Sequence, residues 1–169
     1  MKFILPLFAL LLNACSAQDV MTGAQISTDL AVAQSSYAET RASVERQLAG
    51  LSADKQVEVR ALLADADALK ASIESVWTEK LIPTSAEAGV LYASGAALYL
   101  RGTALIAPLM PAMPIVDQIR VRRFGDTLRS LGEHYQAWLE SPTAQSQAAM
   151  LSQGMELAKM AVQIGLVLL

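Results

Sequence analysis

Hydrophobic residues recur along most of this chain at alternating steps of three and four, the spacing that puts them on one face of an α-helix. The first such run is Ile26, Leu30, Ala33, Tyr37, Thr40, Val44 and Gln47. It predicts helix 1 over about Ala24–Ala49, opened by a Thr22-x-x-Gln25 capping box and closed by Gly50. The second run, Val59, Leu62, Ala66, Leu69, Ile73 and Val76, is widened by Leu63 and Trp77. It predicts helix 2 over about Ala53–Leu81, with Ser52 as N-cap and an outward Lys70–Glu74 pair. The very short connection between the two predicts antiparallel packing.

Ile82-Pro83 ends that hairpin, and Thr84-Ser85-Ala86-Glu87 is a second capping box opening helix 3 at about Ser85–Ala107. Here the pattern changes. Between Ala88 and Leu109 the only charge is Arg101, and apolar residues surround the helix. Such a helix is expected at the centre of a bundle or in a membrane. Pro108, Pro111 and Pro114 stop it. Helix 4, about Ile115–Glu140, presents Val121, Phe124, Leu128, Leu131, Tyr135 and Trp138 on one face and Arg122, Asp126, Arg129 and Glu133 on the other. Ser141-Pro142 reads as an N-cap with proline at the first helical position. Helix 5, from about Thr143 to the end, carries Ala148, Leu151, Met155, Ala158, Val162, Gly165 and Leu169 at the same spacing, with Glu156 and Lys159 its only charges. No sustained alternation marks a strand. The expectation is an all-α fold: about five helices in a single up-down bundle over residues 22–169, with helices 3 and 5 inside.

The first residues follow a different logic. Lys2 precedes the short apolar run Phe3–Leu12, which is the layout of a secretory signal. A bilayer span needs about 20 apolar residues, and this run falls short. It ends in Leu12-Asn13-Ala14-Cys15, which resembles the lipobox of bacterial lipoproteins. The resemblance implies removal of residues 1–14 and a diacylglycerol on the Cys15 thiol. Ser16, rather than Asp, follows it; by resemblance to enterobacterial lipoproteins this implies passage to the outer membrane. Residues 15–21 then form the lipidated Cys and a short tether. Its Ser16–Met21 stretch reaches at most about 20 Å, which would hold the domain against the membrane surface. Address, size and helix content are similar to those of the small helical lipoproteins that pilot secretin subunits, although no pilotin motif is matched.

Composition narrows the chemistry. Cys15 is the only cysteine of the 169 residues, so once it carries lipid no disulfide or thiol nucleophile is available. A net charge of −3 and a pI near 5.1 give no nucleic-acid footprint. The lone His134 has no Gly-x-Ser-x-Gly companion, and no Glu-x-x-His is present. Ser52-x-x-Lys55 matches a penicillin-binding motif by two residues alone, without its companions. Met110 and Met113 among the prolines resemble a Cu(I) thioether pair, but the expected role is to plug the bundle end. Arg120, Arg122 and Arg123 form a basic cluster facing either lipid phosphates or, with Arg122 toward Asp126, solvent.

Arg101 leaves three readings open: its stem snorkels to the bundle edge, it pairs with a buried Asp117, or it receives an anionic ligand. A transmembrane reading of Ala88–Leu109 would place Arg101 in the bilayer at a cost of about 2.5–3.5 kcal/mol. The functional expectation is a non-enzymatic, outer-membrane-anchored binding module for another envelope protein, with no cofactor beyond the lipid on Cys15. Helix 1 has the least apolar stripe, so Tyr37 and Val44 are expected to form the partner surface. The rival expectations are a carrier of a hydrophobic ligand in a loosely packed core and an exclusion lipoprotein of a phage or mobile element.

The lipobox resemblance is tested directly. Cys15→Ser is expected to abolish palmitate incorporation and lipoprotein-type cleavage in a bacterial host. Failure of the unaltered chain to take up labelled palmitate would refute it.

Overall fold

The computed structural model describes residue 28, residues 31–79 and residues 84–168. The signal segment, Cys15 and its tether, the Thr22–Gln25 box, Ile26, Leu30, the Trp77 side chain and Leu81-Ile82-Pro83 lie outside the described residues. Five helices are present: α1 (residues 31–47, with residue 28 also helical), α2 (Ala53–Glu79), α3 (Ser85–Ile106), α4 (Ile115–Glu140) and α5 (Ala144–Val167). No strand occurs among the described residues. The chain is an all-α bundle.

Local signals account for most of the ends. Thr84 caps α3 by accepting from the Glu87 N–H at 3.3 Å, and the Glu87 carboxylate accepts from the Thr84 N–H at 2.7 Å. The start of α5 differs from expectation. Ser141 terminates α4 by donating its N–H to the Ala137 carbonyl, and Thr143 is the N-cap, forming a capping box with Ser146. Ser141 is thus committed to the preceding helix, and the cap falls two residues later. Gly50 also departs from expectation. α1 closes through a 3-10 turn, Leu48–Gly50, and no glycine has positive φ among the described residues. The left-handed helix stop expected there is therefore not used.

Side-chain contacts fix the direction of each helix. The Gln34 amide on α1 donates to Glu74 on α2, whereas Val44 and Val59 both lie against Gly165. Leu62 on α2 and Phe124 on α4 meet Gly102 of α3, while Tyr135 meets Gly89. Ile73 and Leu91 pack on Gly154 of α5. Consecutive helices therefore alternate in direction. The α1–α2 turn, the α3–α4 turn and the end of α5 share one pole. The start of α1 and the α4–α5 turn point to the other.

α5 is the central element. Met150, Leu151, Met155, Leu157, Ala158, Ala161, Val162 and Ile164 are all buried, and the helix contacts α1, α2, α3 and α4. Small residues let its neighbours approach: a Cβ on Gly154 would stand 3.0 Å from Ile73 Cδ1, and one on Gly165 would stand 3.4 Å from Val44 Cγ1.

α3 corrects the expectation that both poorly charged helices lie inside. Its inner face, Ala88, Leu91, Gly95, Leu98, Gly102 and Ile106, is buried. Its outer face is apolar but exposed: Val90 is 61% and Leu100 65% accessible. α3 is thus a wall of the bundle, like α2 and α4. No described helix is long and apolar enough to cross a membrane, so the transmembrane reading of Ala88–Leu109 falls.

Unequal costs on the two apolar helices follow. Leu157→Ala on α5 is expected to destabilise by about 2–5 kcal/mol through lost burial and a cavity. Leu100→Ala on the outer face of α3 is expected to stay within about 0.5 kcal/mol of wild type. Urea unfolding of the two variants measures both, and equal losses would contradict the placement of α5 at the centre.

Candidate functional site

Tyr37 and Val44, expected as a partner surface, belong to the core. Tyr37 is 2% and Val44 0% exposed. The physical reason is that α5 presents a groove at Gly165 that the Val44 side chain fills, with Val59 beside it. The Tyr37 hydroxyl donates to Asp67 on α2 at 2.6 Å. Arg41 donates from Nε to the other oxygen of Asp67 at 3.3 Å and pairs with Glu45. An open cleft is lined by Tyr37, Ala38, Arg41, Ala42, Glu45, Arg46, Asp67 and Lys70. Its charges largely satisfy one another, which makes it a seam between α1 and α2.

Electrostatics within the seam are consistent with that role. Burial, the hydrogen bond to Asp67 and the charge of Asp67 together push the Tyr37 phenol well above its ordinary range. Burial opposes the Arg41 charge, but Glu45 and Asp67 outweigh it and hold the guanidinium above its ordinary value.

Arg101 does not pair with Asp117. Its Nε bonds to Asp65 on α2, with Arg101 48% and Asp65 37% exposed, so the guanidinium sits at the bundle edge between two walls. Asp117 pairs instead with Arg120, three residues on in the same helix. The expected pair fails because Arg101 lies on the flank of α3 that faces α2, away from the start of α4. An exposed pair of this kind is worth about 0–1 kcal/mol.

His134 makes no hydrogen bond or ion pair among the described residues, and no group of three or more His, Cys, Asp or Glu occurs there. Trp138 Nε1 and Gln147 Oε1 are buried without a partner among the described residues.

Two exposed apolar surfaces remain. One is the outer stripe of α3: Ala86, Val90, Ala93, Ala97, Leu100 and Ala104, all exposed and stepping by four and three. The other is the α3–α4 turn. No polar side chain occurs between Thr103 and Asp117. Met113 packs against the core as a plug, but Leu109, Ile115, Val116 and Ile119 are exposed large hydrophobics. Most of this turn therefore does not close the bundle as expected. Arg122 and Arg123 are exposed beyond it without ion-pair partners among the described residues, since Asp126 pairs with Arg129. Arg122 does not meet Asp126 as its spacing implied.

Sequence periodicity does not reveal the outer stripe of α3. A 3,4 stripe identifies a face, and α3 has two such faces, of which one is buried and the other exposed. Comparison with protein-family models, with curated proteins and with solved structures finds no match.

The Tyr37–Asp67 bond has a pH signature. Its phenol has a raised pKa in the folded chain, so the associated stability is complete below the unfolded value of about 10 and declines as pH rises beyond it. Tyr37→Phe is expected to cost about 1–2 kcal/mol at pH 7. The gap between the two proteins should then narrow above about pH 10. Parallel urea titrations from pH 7 to alkaline pH measure it, and a gap that stays constant throughout would rule out the buried phenol as its source.

Proposed function

We propose that this chain is a lipid-anchored, non-enzymatic binding module of the bacterial cell envelope, held to the outer membrane through Cys15 and docking a helix of another envelope protein. The Leu12-Asn13-Ala14-Cys15 lipobox supports the anchor. The docking surface differs from the one expected on helix 1. The observation that carries it is the outer stripe of α3.

That stripe has the properties of a helix-packing seam. Its residues follow a heptad spacing, which lets a second helix run alongside. Alanines at Ala86, Ala93, Ala97 and Ala104 leave room for close approach of backbones. Val90 and Leu100 supply larger knobs. An apolar helix face left exposed along its length is the signature of a helix-in-groove or helix-on-helix partner. Close packing argues against the carrier alternative. A Cβ on Gly95 would stand 2.9 Å from both Leu131 and Leu157, and one on Gly102 2.8 Å from Phe124. At those two points the core is filled by its own side chains, which counts against a ligand lodged between α3 and its neighbours.

Photo-crosslinking from Val90 and Leu100 in cells that make the protein tests this reading. One discrete envelope-protein adduct is expected at both positions. Val90→Asp with Leu100→Asp should abolish capture while leaving the thermal melt within a few degrees of wild type. A melt that collapses would show the stripe to be structural. An adduct of twice the chain's own mass would replace the adaptor with a homodimer.

A further inference from the structure

We propose that the α3–α4 turn is a membrane-seating tip, in which Leu109, Ile115, Val116 and Ile119 enter the apolar boundary of a phospholipid layer while Arg122 and Arg123 bind its anionic headgroups. This surface is separate from the α3 stripe and lies at the pole opposite the start of α1, so the phospholipid layer it enters is not the one that a lipid on Cys15 would hold through a short tether.

Three features point to a lipid layer. The first is depth. Ile115 and Ile119 lie one turn apart on the outward face of α4, and Arg122 and Arg123 follow one turn further from the tip. At 1.5 Å per residue the guanidinium-bearing positions stand about 5 Å above Ile119 and about 10 Å above Ile115. Apolar groups of interfacial helices enter by about 5–10 Å, so the arginines arrive at the phosphate level. Their long stems allow the charged heads to remain there.

The second is charge. The chain is acidic overall, yet this end of α4 presents Arg122 and Arg123 without carboxylate partners among the described residues. The acidic groups on either side in sequence, Asp117 and Asp126, pair with Arg120 and Arg129. The patch therefore complements anionic headgroups, at about fivefold in affinity per arginine.

The third is the backbone. A loop entering an apolar layer must satisfy its own donors. Pro108, Pro111 and Pro114 have no N–H. The N–H groups of Ala107, Leu109, Ala112 and Met113 bond to the carbonyls of Thr103, Ile106, Leu109 and Met110 at 2.8–3.3 Å. The Gln118 amide, from the following turn, caps the Met113 carbonyl at 3.0 Å. The turn is thus apolar in its side chains, and four of its seven N–H groups from Ala107 to Val116 are bonded to main-chain carbonyls. The α4–α5 turn at the other pole, Ser141-Pro142-Thr143, is polar in the ordinary way of an exposed connection.

Benzoyl-phenylalanine placed singly at Leu109, at Ile119 and at Ala68, which is exposed midway along α2, tests the proposal in the full chain. The probe surface is a vesicle of phosphatidylethanolamine and phosphatidylglycerol. Irradiation is expected to add one phospholipid mass at Leu109 and Ile119 and little at Ala68. At sub-saturating lipid the yield at Ile119 should fall by about 25-fold in phosphatidylcholine vesicles, and equally in Arg122→Gln/Arg123→Gln. Circular dichroism and melting of each variant should match wild type, since every altered side chain but one is an exposed residue of α2 or α4 and Leu109 is in the exposed turn. No lipid adduct, adducts with polypeptide, equal yields at Ile119 and Ala68, or yields indifferent to headgroup charge and to the arginines would each overturn it.

Discussion

One helix must be buried on most of its circumference for this bundle to exist, and that requirement shapes the rest of the chain. α5 is contacted by all four other helices, so it carries little charge and alternates bulky residues with small ones. Its Gly154 and Gly165 admit Ile73, Leu91, Val44 and Val59 at close range, and in return those side chains fill what would otherwise be voids along its flank. The same reciprocity operates on α3, where Gly95 and Gly102 receive Leu131, Leu157 and Phe124. At Gly95, Gly102 and Gly154 an added methyl must shift the Leu, Phe or Ile side chain beside it, whereas truncating that side chain leaves an unfilled space.

Much of this architecture is legible from spacing alone. The residues that step by three and four on α2, α4 and α5 are those that meet in the core, and the Thr84 and proline signals place the limits of α3 within a residue or two. Spacing reports a face, however, and does not say what covers it. Scarcity of charge on α3 and α5 looked like one property with one cause. In α5 it reflects neighbours on nearly every side. In α3 it leaves Val90, Leu100 and four alanines facing outward. Pairwise charge inference failed similarly. Arg101 meets Asp65 and Asp117 meets Arg120, because which wall a side chain faces depends on the rotation of each helix about its axis, which no linear pattern records.

Helix 1 illustrates a subtler point about amphipathic weakness. Its polar stripe members suggested a face held in reserve for a partner. Instead, Tyr37 reaches across to Asp67 and Arg41 secures the same carboxylate. A tyrosine with its ring in the core and its hydroxyl on a partly exposed carboxylate is well suited to a seam, since the apolar body and polar end face different surroundings. Gln47, the last stripe member, turns outward and donates to Ser43, while Leu48 takes the core position beside it. Polar residues in such a pattern can therefore mark the border of a helix pair as readily as a free surface.

The position of α5 in chain order has a kinetic meaning. The element that the other four enclose is the one that follows them, so the earlier helices enclose nothing until it arrives. α1–α2 and α3–α4 can each pair as local hairpins, yet their buried faces remain without the counterpart they finally share. Contacts such as Val44 with Gly165 join segments from near opposite ends of the described chain. Closing a connection of that length carries an entropic cost that only the completed packing returns. Much of the shared core is thereby completed only when α5 joins the other helices, and a chain stopped before it would present those faces without the side chains that cover them.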